Sequence, residues 1–273
     1  MNSIGKMIGQ GNTAEIYEYG EDCVLKLYRS AMPEQLCHDE FRFTMIAYQA
    51  TQKVPQPIEI IRAAGRIGAV YKRISGKTML IQMLKKPWKL KYYATLLAEY
   101  HNCIHTPVID AEIPDVKDKL RLDIQSSDDL SEDEKQQIYS NLLSLPDGNA
   151  LCHFDFHPDN VLVFENQYCV LDWMTACKGD ELSDVARTGI ILKFGKMPRV
   201  PDIVNLVVGT FQKSVYKKYI RRYIEITGAN IECIEKWELA IAAARLREWI
   251  PAKEKQVLLK FIRQRLKLIS FIA

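Results

Sequence analysis

Residues 151–173 (Leu-Cys-His-Phe-Asp-Phe-His-Pro-Asp-Asn-Val-Leu-Val-Phe-Glu-Asn-Gln-Tyr-Cys-Val-Leu-Asp-Trp) constrain the fold more than any other stretch of the chain. A loop carrying Asp155, His157 and Asn160 leads into an apolar strand, Val161 to Phe164. Glu165, Asn166 and Gln167 turn the chain, and a second strand returns to Asp172. Two acids and an amide therefore belong to one hairpin. Taken singly, each has a plainer reading. An Asp beside a strand is usually a turn or cap residue, and His-Pro-Asp-Asn reads equally well as a turn. His153, Asp155 and His157 alternate, so an extended backbone would put them on one face as Zn²⁺ ligands, but that leaves Asn160 and Asp172 without a purpose.

Phosphoryl transfer accounts for all of them together. It needs an acid to orient the acceptor hydroxyl and oxygen ligands to hold Mg²⁺ on the nucleotide phosphates. Asp155 followed five residues later by Asn160 has the spacing of a kinase catalytic loop, with Asp172 where the second metal acid belongs. The pattern His153-x-Asp155-x-His157-Pro158-x-Asn160, then Leu171-Asp172-Trp173, resembles the signature of the aminoglycoside phosphotransferase and choline kinase superfamily. In the order of its parts the resemblance runs from about Ile8 to Leu192. It implies an α+β, bilobal, protein-kinase-like fold, with a small antiparallel-sheet N-lobe containing one helix and a larger, mainly helical C-lobe. The expected boundary divides residues 1–75 from 76–273. The resemblance further implies ATP or GTP as donor, Mg²⁺ on Asn160 and Asp172, and Asp155 orienting the acceptor. Asp184 would brace the catalytic loop from below, with His153 in the same scaffold and His157 ordering the loop near Asp155.

The N-terminal third reads as strands with one helix inserted. Met7 to Tyr19 looks like two strands joined by a glycine-containing loop, and Cys23 to Tyr28 follows as a third. Gly9 and Gly11, with Asn12 and Thr13, would let backbone amides approach phosphate oxygens. The third position of a full GxGxxG is Ala14, so a plain hairpin turn also fits. Lys26 lies mid-strand. A helix from about Glu34 to Ala50 places Leu36, Glu40, Phe43 and Ala47 on one stripe, and an acid within an apolar stripe requires a partner. The resemblance supplies one: Lys26 would contact the α and β phosphates and Glu40 would hold it, with Glu34 as runner-up. Strands follow at Ile58 to Arg62 and Ile67 to Ile74. Tyr71 to Gly76, including Arg73, resembles the linker whose backbone meets the adenine edge.

From Lys77 onward the pattern is helical. His101 and His105 lie four apart, as helical zinc pairs do, but no HExxH glutamate or nearby third ligand joins them, which favours a core or surface role. Residues 110–135 hold ten acids against four bases, read as a solvated linker and a helix start capped by Ser131 and Glu134. Residues 193–273 hold seventeen bases against seven acids and read as three or four helices. There Ile234, Trp237, Ile241 and Ala244 form a core stripe, although Trp237, Trp249, Glu235, Glu238 and Glu248 could instead line a pocket for a cation. The basic excess could equally suit an anionic acceptor or an acidic surface.

A net charge of +3 does not suggest a nucleic-acid partner. Seven scattered cysteines without a CxxC pair suit a reducing cytoplasm. No apolar run is long enough for a bilayer span and no signal core follows the start, so a soluble cytoplasmic protein is expected. The sequence leaves the oligomeric state open. Three readings remain: a small-molecule kinase acting on a hydroxylated acceptor, a protein kinase, and a nucleotide-binding scaffold without turnover. Against the second, no Ala-Pro-Glu segment follows Asp172-Trp173. Against the third stands the intact set Lys26, Asp155, Asn160 and Asp172.

Overall fold

The computed structural model describes residues 4–165, 167–197 and 200–272, so Asn166 of the expected turn lies outside the described residues. The strands and helices follow in the order β1 (Ile4–Gln10), β2 (Ala14–Tyr19), β3 (Cys23–Tyr28), α1 (Glu34–Thr51), β4 (Pro57–Ala63), β5 (Arg66–Lys72), β6 (Lys77–Thr78), α2 (Met79–Lys85), α3 (Leu90–Ile104), α4 (Val116–Gln125), α5 (Glu132–Leu143), β7 (Ala150–Cys152), β8 (Val161–Phe164), β9 (Gln167–Val170), β10 (Cys177–Gly179), α6 (Glu181–Phe194), α7 (Asp202–Thr227), α8 (Ile231–Arg245) and α9 (Ala252–Ile272). The chain divides into two compact units, 1–82 with 158–176 and 83–157 with 177–273. The β8–β9 hairpin therefore groups with the N-terminal strands, whereas an undivided 76–273 had been expected for the second part.

In the first unit five antiparallel strands pair in the order β1-β2-β3-β5-β4. Alternation explains which faces are covered. Leu25, Leu27 and Val70 are buried together on one side of the sheet, while Tyr28, Ala69 and Tyr71 pack on the other with Cys37 of α1. Helix α1 buries Cys37, Glu40, Phe43, Thr44 and Ala47, the expected stripe with Cys37 as its first fully buried member. A second sheet, β6-β8-β9, carries the hairpin. β9 stops at Val170, so Leu171 and Asp172 lie past the strand rather than within it.

The second unit is helical apart from the two-stranded β7–β10 ladder. Its N-caps follow the chemistry of the sequence. Ser131 and Glu134 form a complete capping box on α5, and the Asp180 carboxylate accepts the Leu182 amide at the start of α6. Gly179 is required by packing, since a Cβ there would fall 2.3 Å from Val116 Cγ1. Trp237 is fully buried in this core. An antiparallel-sheet N-terminal region and a helical C-terminal region agree with the expected fold class.

Candidate active site

In the first unit, Lys26 projects from β3 and its Nζ lies 2.5 Å from Glu40 Oε1 and 3.1 Å from Asp172 Oδ1. Glu40 is 3% exposed, and its second oxygen accepts the Tyr28 hydroxyl. Burial works against the Lys26 ammonium, but the two carboxylates outweigh it and raise its pKa above the usual lysine range. Burial likewise raises Glu40, against the pull of Lys26. The runner-up Glu34 lies elsewhere, paired with Arg62 at 2.7 Å on the surface. Tyr28 was not singled out from the sequence. Its signal is register: it lies two residues beyond Lys26 on the same strand face.

Asp172 has a left-handed backbone, φ 62°, just past β9, and the Leu171 amide donates to the Asn160 carbonyl at 2.8 Å. The hairpin thus brings Asn160 and Asp172 together at its foot. Both offer hard oxygen donors, and the Asp172 side chain is 45% exposed, a donor set that suits Mg²⁺. In the turn between β1 and β2 the Gly11 amide donates to the Ala14 carbonyl, and Arg29 holds the Gly11 carbonyl. A Cβ at Gly9 or Gly11 would meet its nearest neighbour only at 3.7 or 3.9 Å, ordinary contact. Packing demands neither glycine, but Gly9 is paired opposite Ile16 in the β1–β2 ladder and both backbone groups of Gly11 are taken, so the amides of Asn12 and Thr13 are what the turn can offer a phosphate. Two expected linker contacts need correction. Tyr71 lies inside β5, opposite Val24 and Pro57, with its ring in the core. The Arg73 amide donates to the Asp22 carbonyl and its guanidinium to Glu18. Both groups are committed to the sheet, which leaves Ile74 to Gly76 for any linker role.

In the second unit the segment 153–157 follows β7 and is held by one face of α6. The Asp184 carboxylate accepts the amides of His153 at 2.6 Å and Phe154 at 2.9 Å. Arg187 Nε donates to the Phe154 carbonyl at 3.1 Å, and Thr188 Oγ1 to the Phe156 carbonyl at 2.8 Å. Positions 184, 187 and 188 have the i, i+3, i+4 spacing of one helix face, a signal present in the sequence once Asp180 is taken as the cap. Phe154 adopts φ 64°, a left-handed conformation that costs a non-glycine residue on the order of 1 kcal/mol and persists only where its surroundings fix it.

Asp155 follows at once. Its amide donates to His153 Nδ1, and its Oδ2 lies 3.5 Å from His157 Nε2. Burial pushes its carboxyl up, but His157, Arg187 and His153 together bring it down to about 2. Behind the loop, His105 Nε2 hydrogen-bonds with Asp184 Oδ2 at 3.3 Å, and the buried His101 Nε2 lies 3.1 Å from the same oxygen without the geometry of a hydrogen bond. Their Nδ1 atoms meet the hydroxyls of Tyr219 and Tyr223 at 2.7 and 3.1 Å. The sequence offered no third group near this pair, and the fold brings one from 79 residues beyond His105. Although the three groups could hold an ion, Asp184 already accepts two backbone amides. Burial lowers His101 to about 4 against the pull of Asp184; Asp184, despite its own burial, is held well below the usual carboxylate range. His153, Asp155 and His157 do not gather as a metal-ligand group among the described residues.

The cation-pocket alternative fails at its centre. The Trp237 ring is core and its Nε1 donates to Asp180, Glu238 is buried between Lys193 and Arg265, and Glu248 bridges Arg187 and Arg245. Among the described residues no helix is long and apolar enough to cross a membrane.

Comparison with known proteins matches residues 6–224 to the model of the phosphotransferase enzyme family. The chain belongs to that family. No curated protein sequence matches this phosphotransferase. Among solved structures it is similar to a choline/ethanolamine kinase family protein from Mesorhizobium loti, with TM-score 0.58 and 15% identity over 96% of this chain and 86% of the other. It is also similar to the APH(2")-IIa enzyme in a streptomycin and ATP ternary complex, with TM-score 0.56 and 17% identity over 96% and 92%. A GDP complex of aminoglycoside 2'-phosphotransferase-IIIa gives TM-score 0.56 and 16% identity over 97% and 93%.

Proposed function

We propose that this phosphotransferase moves the γ-phosphoryl group of ATP or GTP to a hydroxyl of a small molecule. The observation that carries the reading is Lys26, held by the buried Glu40 and facing Asp172. A lysine kept charged at a fixed point beside a second acid is built to meet phosphate oxygens. The turn at Gly9 to Thr13 would meet the phosphates as well, and Asn160 and Asp172 would hold Mg²⁺, which neutralises charge on the transferring group. The linker at Ile74 to Gly76 would meet the base.

Asp155 would receive the acceptor. A carboxylate held near pKa 2 is a weak base, so its task is to orient the hydroxyl and take the proton late, as suits a loose transfer in which positioning dominates. His153, His157 and Asp184 keep that carboxylate in place. The similar structures include complexes with streptomycin and with kanamycin and a choline/ethanolamine kinase family protein, so hydroxylated amines should lead any panel. Unpaired cysteines at all seven positions fit the cytoplasm expected of the protein.

The test is transfer from γ-labelled ATP and GTP with Mg²⁺ to such a panel, alongside Asp155→Asn. Transfer should fall by about 10²- to 10⁴-fold in the variant with nucleotide affinity nearly unchanged. Full transfer by Asp155→Asn, or absence of Mg²⁺-nucleotide binding by the native protein, would refute the reading.

A further inference from the structure

The strained Phe154 is held on both sides: its amide goes to Asp184, its carbonyl to Arg187. Arg187 is 4% exposed, and a buried guanidinium stays where its counter-charge stays. That counter-charge is Glu248, whose Oε1 lies 2.6 Å from Arg187 Nη2 and whose Oε2 lies 2.7 Å from Arg245 Nη1. Arg245 is paired in turn with the buried Glu254 at 2.7 Å, and Glu254 accepts the Lys196 amide. A continuous chain of alternating charge thus runs from the carbonyl before Asp155 to the first turn of α9. Arg245, Glu248 and Glu254 all lie beyond residue 224, where the family match ends.

We propose that Glu248, seated by Arg245, is a positioning residue for transfer: it holds Arg187 on the Phe154 carbonyl and away from the Asp155 carboxylate. The other acids whose fields reach Arg187 are Asp155 and Asp123. With the Glu248 charge removed, Asp155 becomes the competing partner for the guanidinium, and a carboxylate taken by Arg187 is withdrawn from the acceptor. The inference rests on Asp155 being the acting carboxylate.

The experiment compares Glu248→Gln, Arg187→Lys, their double variant and Asp155→Asn in steady-state transfer, with amide hydrogen exchange of the 152–157 segment as a readout independent of turnover. Glu248→Gln should lower kcat at least about tenfold while the nucleotide KM stays within about twofold. Exchange at 152–157 should quicken while exchange in α1 stays unchanged. The double variant should lose no more than the worse single one, as two members of one chain do. Unchanged kcat and unchanged exchange in Glu248→Gln, with Asp155→Asn inactive, overturns this role alone. An active Asp155→Asn overturns the reading beneath it. Should Glu248→Gln not fold, Arg187→Lys, whose single ammonium cannot bridge the Phe154 carbonyl and Glu248 as the guanidinium fork does, takes its place, and native kcat with native exchange in that variant overturns the proposal.

Discussion

Lys26 and Glu40 are best understood as one group, because neither is tolerable in its surroundings alone. Replacing Lys26 with Met leaves Glu40 buried against the Tyr28 hydroxyl with no cation, at a cost of about 3 kcal/mol. That cost should depend on pH in a definite direction. Burial already lifts the Glu40 pKa above its unfolded value, and removing Lys26 lifts it further. The variant should therefore be most stable in acid, where Glu40 is protonated, and lose stability as pH rises from the unfolded carboxylate pKa through the raised one. Chemical denaturation of Lys26→Met at pH 5 and 8 checks this, and a loss equal at both would show that Glu40 is not the stranded group. This pair was legible in the sequence because one acid interrupted an apolar helical stripe and one lysine stood mid-strand. Tyr71 and Arg73 were misjudged for the opposite reason: which backbone groups a sheet consumes depends on register, and register is invisible until the strands are paired.

At the scale of elements, α6 does for the 153–157 loop what a strand partner does for a ladder. One helical face satisfies four backbone groups of an irregular segment, which would otherwise be costly to bury. Asp184 was legible as a brace through the family resemblance, but Arg187, Thr188 and the imidazoles of α3 were not, since their partners lie 32 to 118 residues away in sequence. The imidazole layer has a measurable consequence. His101 is fully buried with its pKa brought down to about 4, below its unfolded value near 6.5. Between those values the unfolded chain binds a proton that the folded one does not, so stability is fully present above about pH 6.5 and declines toward pH 4. From pH 7 to 5 the expected loss is about 2 kcal/mol. His101→Gln should flatten that slope in urea unfolding, and an unchanged slope would mean that other groups set it. The depressed pKa of Asp184 adds a further loss only at lower pH, below the unfolded carboxylate value.

Across the whole chain, the acidic stretch at 110–135 and the basic stretch at 193–273 looked in sequence like two independent solvated surfaces. Within the second unit they meet: Asp123 with Arg247, Asp129 with Lys255 and Glu134 with Arg263, at 2.9, 2.7 and 2.8 Å. Part of the basic excess is thus answered internally, which weakens the case for an anionic partner. Partly exposed pairs contribute little each, so reversing Arg247, Lys255 and Arg263 to Glu together should cost about 2 kcal/mol in sum. Reversing Asp123, Asp129 and Glu134 to Lys in the same chain should restore most of that loss in thermal melts. If the second set of changes restores nothing, the pairs do not hold α9. Helical periodicity alone could announce the three C-terminal helices but not their charge partners, because complementarity between distant segments leaves no local pattern.

The contacts on the 153–157 loop are spread along the chain in a way that bears on its synthesis. They come from His101, whose ring stacks on Phe156, then from 184 to 188, and through Arg187 from Glu248. A chain still on the ribosome can pair β1 to β5 and seat Lys26 on Glu40 early, since all of those residues lie within the first 72. The loop that carries Asp155 must wait until residue 248 has emerged before Arg187, which holds it, has its counter-charge. Ribosome-stalled chains released short of that point would carry a completed lysine and acid pair in the first unit and, in the second, an Asp155 loop still lacking its last support.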